Sequence, residues 1–213
     1  MRRLLAVLVV VGCLSQETPS QLSRPISSEC PILKSSHGSA ETRDQADIDE
    51  QLSQARQMLL KARALIHDIP ESHQEVAAAN MSGQLVRACD LTDALATARY
   101  LKKPEAEAFA MGSIAWQLVN YRDTTQALFL LQTTAESQSR DASYESIARK
   151  LIEKGDVDQG LEATHFIKDP SRVADILIRL ASLRTHAGDQ LGAGRVLADA
   201  LRVGRDSDKE RSR

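Results

Sequence analysis

Apolar residues in this chain recur at helical spacing, and the helical pattern itself recurs at a longer one. Ile48, Leu52, Ala55, Leu59, Ala62 and Ile66 are three or four residues apart, which puts them on one face of a helix. From residue 71 the pattern repeats every 33 residues: Met81, Ile114, Ile147 and Leu180 form one apolar register. Beside it runs a small register, Ser82, Ala115, Ala148 and Ala181, then Leu85, Leu118 and Leu151, a series that Arg184 breaks. A second small register, Ala94, Ala127, Gly160 and Ala193, lies 12 residues beyond the first. No stretch alternates apolar and polar residues long enough to predict a strand, so the chain is expected to be all-α.

The punctuation follows the same period. Cys89-Asp90, Arg122-Asp123, Gly155-Asp156 and Gly188-Asp189 are 33 residues apart. Asp123 to Gln126 and Asp156 to Gln159 have the spacing of a capping box, in which the first side chain accepts from free helix N–H groups. Ser72 to Glu75, just after Pro70, has it too. Gly155 and Gly188 stand where a preceding helix must end, because glycine tolerates the left-handed conformation found there. Pro104 and Pro170 suit a first helical turn, where a missing N–H costs nothing, and Ser137 holds that register between them. Each unit therefore reads as helix, tight turn at x-Asp, helix, short turn. Two small columns in such a hairpin predict helix crossings, since only small side chains let axes approach to ~8–10 Å.

These features resemble the tetratricopeptide-repeat family or its close helical-hairpin relatives. The resemblance rests on paired small columns such as Ala115 with Ala127 and Ala148 with Gly160, and covers roughly residues 71–203. It implies a right-handed solenoid of antiparallel helix hairpins with a 33-residue period. Departures are a period of 33 rather than the family's usual 34 and aliphatic residues at most of its aromatic positions. The closing proline is also early or missing. Ankyrin repeats share the length, but their Thr-Pro-Leu-His signature is absent. Residues 44–67 lack the clean period and are read as an irregular first helix that caps the stack.

The N-terminus reads as an address. Met1-Arg2-Arg3 is basic, and Leu4 to Val11 is an apolar run of eight residues, too short to span a bilayer. The run ends in Val10-Val11-Gly12-Cys13, which resembles the lipobox of bacterial lipoproteins. That resemblance implies a signal peptide over residues 1–12 and lipidation of Cys13, anchoring the chain to the bacterial envelope. Ordinary signal cleavage around Ser15, leaving a secreted or periplasmic soluble protein, is the alternative. Residues 13–43 are expected to form a flexible Ser-rich tether, with eight serines and balanced charge over 14–43. A helical-repeat domain is expected over 44–203 and a disordered tail over 204–213.

Composition narrows the chemistry. Net charge is −2 and aromatics are 3% of the chain, so there is no basic stripe interleaved with rings and nucleic acid is not the expected partner. The three cysteines, Cys13, Cys30 and Cys89, do not make a disulfide framework, and whether Cys30 and Cys89 pair is left open. Glu162 and His165 form one Glu-x-x-His element, whereas a carboxylate di-metal bundle needs two on facing helices. No nucleophile, P-loop or zinc-protease motif occurs, and no cofactor or metal is expected. His37, His67, His73 and His186 are scattered and read as solvated or capping residues.

The resemblance implies instead a binding groove lined by the first helix of each hairpin. Residues one and five after the first small column are expected to face it. These are Gly83, Trp116, Arg149 and Ser182, then Arg87, Asn120, Glu153 and His186. The candidate partner-binding set is Arg87, Trp116, Asn120, Arg149, Glu153 and His186. Solvated surface is the other reading of the polar column, and core packing the other reading of Trp116. The expected function is a non-enzymatic protein-interaction module, an adaptor or assembly factor on the bacterial envelope, binding a peptide or partner protein. An envelope enzyme subunit with a metal at Glu162 and His165, and a solenoid that self-associates through its ends, are the alternatives.

Overall fold

A computed structural model describes residues 42–211, all of the elements being helical. The expected signal peptide, most of the tether, and Cys13, Cys30 and His37 lie outside the described residues. Helix α1 (Thr42–Ala64) ends in a short 3-10 turn, Leu65–Asp68. Four helical hairpins follow. They are α2 (Glu71–Arg87) with α3 (Leu91–Arg99), α4 (Pro104–Asn120) with α5 (Thr124–Gln132), α6 (Gln138–Glu153) with α7 (Val157–Thr164), and α8 (Pro170–His186) with α9 (Gln190–Arg211). The long first helices pack in series, α2 on α4, α4 on α6 and α6 on α8, and each also packs on the second helix of its own hairpin.

The corners show how the sequence imposes this layout. The four residues before each turn aspartate all adopt the left-handed conformation, at φ 59° for Cys89, 64° for Arg122, 89° for Gly155 and 83° for Gly188. Each corner is closed by the same hydrogen bond, from the aspartate N–H to the carbonyl five residues back. Asp90 N donates to Leu85 O (2.8 Å), and Asp123 N to Leu118 O, Asp156 N to Leu151 O and Asp189 N to Arg184 O at 2.9 Å each. This is the Schellman closure, which satisfies carbonyls that a helix end would otherwise strand. Asp90, Asp123 and Asp189 then cap the next helix, their Oδ1 atoms accepting from Asp93 N, Gln126 N and Gly192 N. Asp156 makes no such side-chain cap. Pro104 and Pro170 open their helices, and Ser137 is the N-cap of α6, accepting from Arg140 N at 3.0 Å. Pro70 rather than Ser72 precedes the first turn of α2, so the expected box at Ser72 lies inside the helix.

The small columns are where the helices meet. Ser82, Ala115, Ala148 and Ala181 are 0–1% exposed, and Ala94, Ala127 and Ala193 are 0–3%. At Gly160 a Cβ would come within 3.0 Å of Ala148 O and 2.6 Å of Ile152 Cγ1, so the two columns touch there. Around these contacts the core is aliphatic, with Leu85, Ile114, Leu118, Leu131, Ile147, Leu151, Ile176 and Leu180 all buried. Tyr144 is the largest buried side chain and stacks on Phe166 at 5.3 Å. Its hydroxyl has no hydrogen-bond partner among the described residues. Burial, the main cause, pushes that phenol up to about 12.

Polar links tie neighbouring hairpins at their ends. Arg56 of α1 donates to Ala88 O (2.6 Å) and Cys89 O (3.2 Å), covering the carbonyl end of α2. Arg63 pairs with Asp93 at 2.9 Å, and Asp141 accepts from Lys168 N at 3.0 Å across the α6–α8 junction. Cys89 is buried and disulfide-bonded. One boundary differs from expectation. Helix α9 continues to Arg211, into the segment 204–213 read as a disordered tail. Arg, Lys and Glu are good helix formers, and Gly204 alone does not stop a helix whose earlier turns are packed.

Two outcomes follow from this packing. Ala148→Leu will overpack the contact with Gly160 and lower unfolding stability by roughly 1–3 kcal/mol. Asp158→Leu, on an exposed site of α7, will change it little, and chemical denaturation compares the two. Tyr144→Phe will leave stability unchanged or raise it by up to about 1 kcal/mol, because it removes a buried hydroxyl without a partner. Because the folded phenol titrates above its unfolded value, wild-type stability is full below about pH 10 and falls as pH rises toward 12. The variant will lose this part of the alkaline sensitivity, as melting curves across that range would report.

Candidate functional site

The long helices α2, α4 and α6 leave an open groove of about 620 Å³ along their shared face, with Arg172 of α8 at its edge. Its lining keeps helical phase. Phe109 and Ala142 are one level. Ala79 and Gly112, then Asn80, Ser113 and Ser146, are the next, and Gly83 with Trp116 and Gln84 with Gln117 follow. Glu105, Gln138, Ser139 and Ser143 complete one end. The groove exists because its floor is made of side chains too small to fill it. Gly112 is pressed so closely that a Cβ would come 1.9 Å from Ser143 Oγ.

Two aromatic rings stand on this floor. Phe109 is 46% exposed, and Trp116 is half-buried, packed on the core along one side. Lys150 Nζ lies 4.0 Å from the Trp116 ring centroid, a cation–π contact. Desolvation lowers the Lys150 ammonium below the ordinary lysine value, with the Lys154 charge adding to it. Charges in the groove are largely used within the protein. Glu105 accepts from Ser139 N at 2.7 Å, which caps α6 and, through its bonds with Ser139, holds the Glu105 carboxyl below the usual range. Arg172 pairs with Glu145. Ser113 and Ser143 donate to Phe109 O and Ser139 O of their own helices. What the groove offers a ligand is apolar area from two rings, hydroxyls, and the carboxamides of Asn80, Gln84, Gln117 and Gln138.

Of the six candidate residues, Trp116 lines the groove. Gly83, its equivalent in the preceding hairpin, lines it too, whereas Arg149 turns to Glu145 at 2.8 Å. The second column falls one turn further toward the helix C-termini. There Arg87 reaches Gln84, Asn120 donates to Gln117 at 3.3 Å, Glu153 pairs with Arg179 at 2.9 Å, and His186 Nδ1 contacts Ser182 O at 2.7 Å. These positions have the phase of the groove face but not its height. The signal that would have found the remaining lining is the polar register Asn80, Ser113 and Ser146, with Gln84 and Gln117 beside it.

The other candidates sit elsewhere. Glu162 lies in α7 and His165 is its C-cap. Among the described residues no three or more His, Cys, Asp or Glu side chains are grouped to hold a metal ion. His67 packs edge-on against Tyr100 at 4.9 Å and shares a hydrogen bond with its hydroxyl at 3.1 Å. No described helix is long and apolar enough to cross a membrane.

Trp116→Ala will cost less than the ~3 kcal/mol at the low end for a buried tryptophan, because part of its ring already faces the groove. Thermal unfolding checks this, and a loss of 3–5 kcal/mol would return Trp116 to the core. No family model, characterised protein or solved structure matches the chain.

Proposed function

We propose that this chain is a non-enzymatic protein-interaction module, an adaptor or assembly factor, which holds a peptide or helix of a partner protein in the groove between α2, α4 and α6. The observation that carries this reading is the pairing of the Phe109 and Trp116 rings with a floor of Ala79, Gly83, Gly112 and Ala142. Rings projecting over small residues give a partner side chain apolar area and room to enter. The surrounding hydroxyls and carboxamides can meet its backbone donors and acceptors. In this reading the hairpins form a right-handed solenoid of the tetratricopeptide type with a 33-residue period, supported by four left-handed corners at that spacing. The address is the bacterial envelope, through a lipid on Cys13 and a tether over 13–43. It rests on the sequence Val10-Val11-Gly12-Cys13 after an apolar run. A secreted or periplasmic soluble form is the alternative.

Trp116 is the only tryptophan in the chain, so its emission reports on the groove directly. A partner captured from bacterial envelope extract by the full chain will shift that emission on titration. Ser146→Arg, which places a long side chain in the groove, will weaken the complex at least about tenfold. Capture that is indifferent to Ser146→Arg and silent in Trp116 emission would overturn the groove reading. Independently, Cys13→Ser will move the protein out of the membrane fraction. An intact mass showing an unmodified N-terminus downstream of Cys13 would exclude the lipid anchor.

A further inference from the structure

The last hairpin ends on a face that the earlier hairpins keep covered. Gly112 of α4 lies under Ser143 of α6, and Glu145, one period on, pairs with Arg172 of α8. Ile178 is next in that register and is 51% exposed. The second helices tell the same story. Ala98, Leu131 and Thr164 share a register and are 0%, 0% and 7% exposed, yet Leu197, their counterpart in α9, is 43% exposed. Leu201, one turn beyond, is 64% exposed. Repeat arrays ordinarily close on a polar outer face. Here the registers by which each hairpin receives the next end in exposed apolar residues.

Helix α9 is also unlike its counterparts. It runs 22 residues, where α3 and α5 run 9 and α7 runs 8. Gly194, Leu197, Leu201 and Gly204 lie at i, i+3, i+7 and i+10, one straight stripe along it. The stripe is its own reverse. Its leucines lie two residues on either side of position 199, and its glycines five on either side. Two copies meeting about a two-fold axis present the same patch to each other, so helices paired across that axis must match a stripe against its reversal. Around Gly194 and Gly204 a Cβ would find no atom within 4 Å, which leaves both ends of the stripe open to close approach.

We propose that a second copy of this chain covers this end face. The two α9 helices pair antiparallel, Leu197 of one copy packing on Leu201 of the other and Gly194 lying opposite Gly204. The contact continues, across a two-fold axis, the same surface that stacks one hairpin on the next within the chain. It uses none of the groove residues, so its failure would leave the groove reading standing.

Light scattering and sedimentation of the full chain over a concentration series test it. The wild type will dimerise, and Leu201→Glu will weaken the dimer at least about tenfold. Helix content of that variant will be unchanged, and its melting temperature will match that of the wild type diluted until it is monomeric, since the residue is exposed in the monomer. Leu197→Glu and Leu201→Lys will each be monomeric alone. A one-to-one mixture of them will recover the dimer, because the introduced carboxylate of one copy meets the introduced ammonium of the other. A monomeric wild type, a dimer indifferent to Leu201→Glu, or a mixture that stays monomeric would each overturn the proposal.

Discussion

The closeness of helix to helix at the small columns is the constraint on which the rest of this structure depends. At Gly160 even a methyl group would strike Ala148 O and the Ile152 side chain. Because the axes come this near, the surrounding aliphatic side chains can interdigitate without large rings, which suits a chain with few aromatics. The contact sets the two helices of a hairpin against each other, and the packing of α2 on α4, α4 on α6 and α6 on α8 lines the long helices up along one face. The groove is a product of that alignment. It is continuous because neighbouring first helices are close, and it is open because its floor is built of Ala, Gly and Ser between the larger lining residues.

The electrostatics of the groove follow from its capping duties. Glu105 and Arg172 face it but already serve neighbouring helices, the first at the N-terminus of α6 and the second against Glu145. Lys150 is drawn onto the Trp116 ring. The result is a surface whose formal charges are mostly answered from within. Recognition there would rest on shape, rings and neutral hydrogen bonds, with a weak dependence on salt compared with a charged clamp.

Much of the fold was legible because the features that set it are local. A left-handed corner, a capping aspartate and a proline in a first turn each name their own conformation, and all three recur in register. The small columns were readable for a similar reason, since a helix crossing excludes most side chains. The site was less legible. Trp116 could be placed by its phase, but Arg87, Asn120, Glu153 and His186 share that phase one turn too far along. Height along a helix depends on where neighbouring helices begin and end, which no single register encodes. The serines and carboxamides that do line the groove carry no signature, because such residues cover most helical surfaces. The extent of α9 was missed because a mixed-charge tail reads as solvated whether or not it is helical.

Cys89 and Arg122 take the same left-handed turn as Gly155 and Gly188, at a strain of about 1–2 kcal/mol each. The turn survives without glycine because the next aspartate's N–H bonds the carbonyl five residues back and its side chain caps the following helix. Residue identity at the corner is therefore free to change while the corner stays. The same freedom extends to the groove wall, where Ala79 gives way to Gly112 and Asn80 to Ser113 and Ser146 between hairpins. An array built this way can drift far in sequence across lineages and still present the same spacing of helices, so its descent would be traced more readily by the rhythm of its corners than by the letters at them.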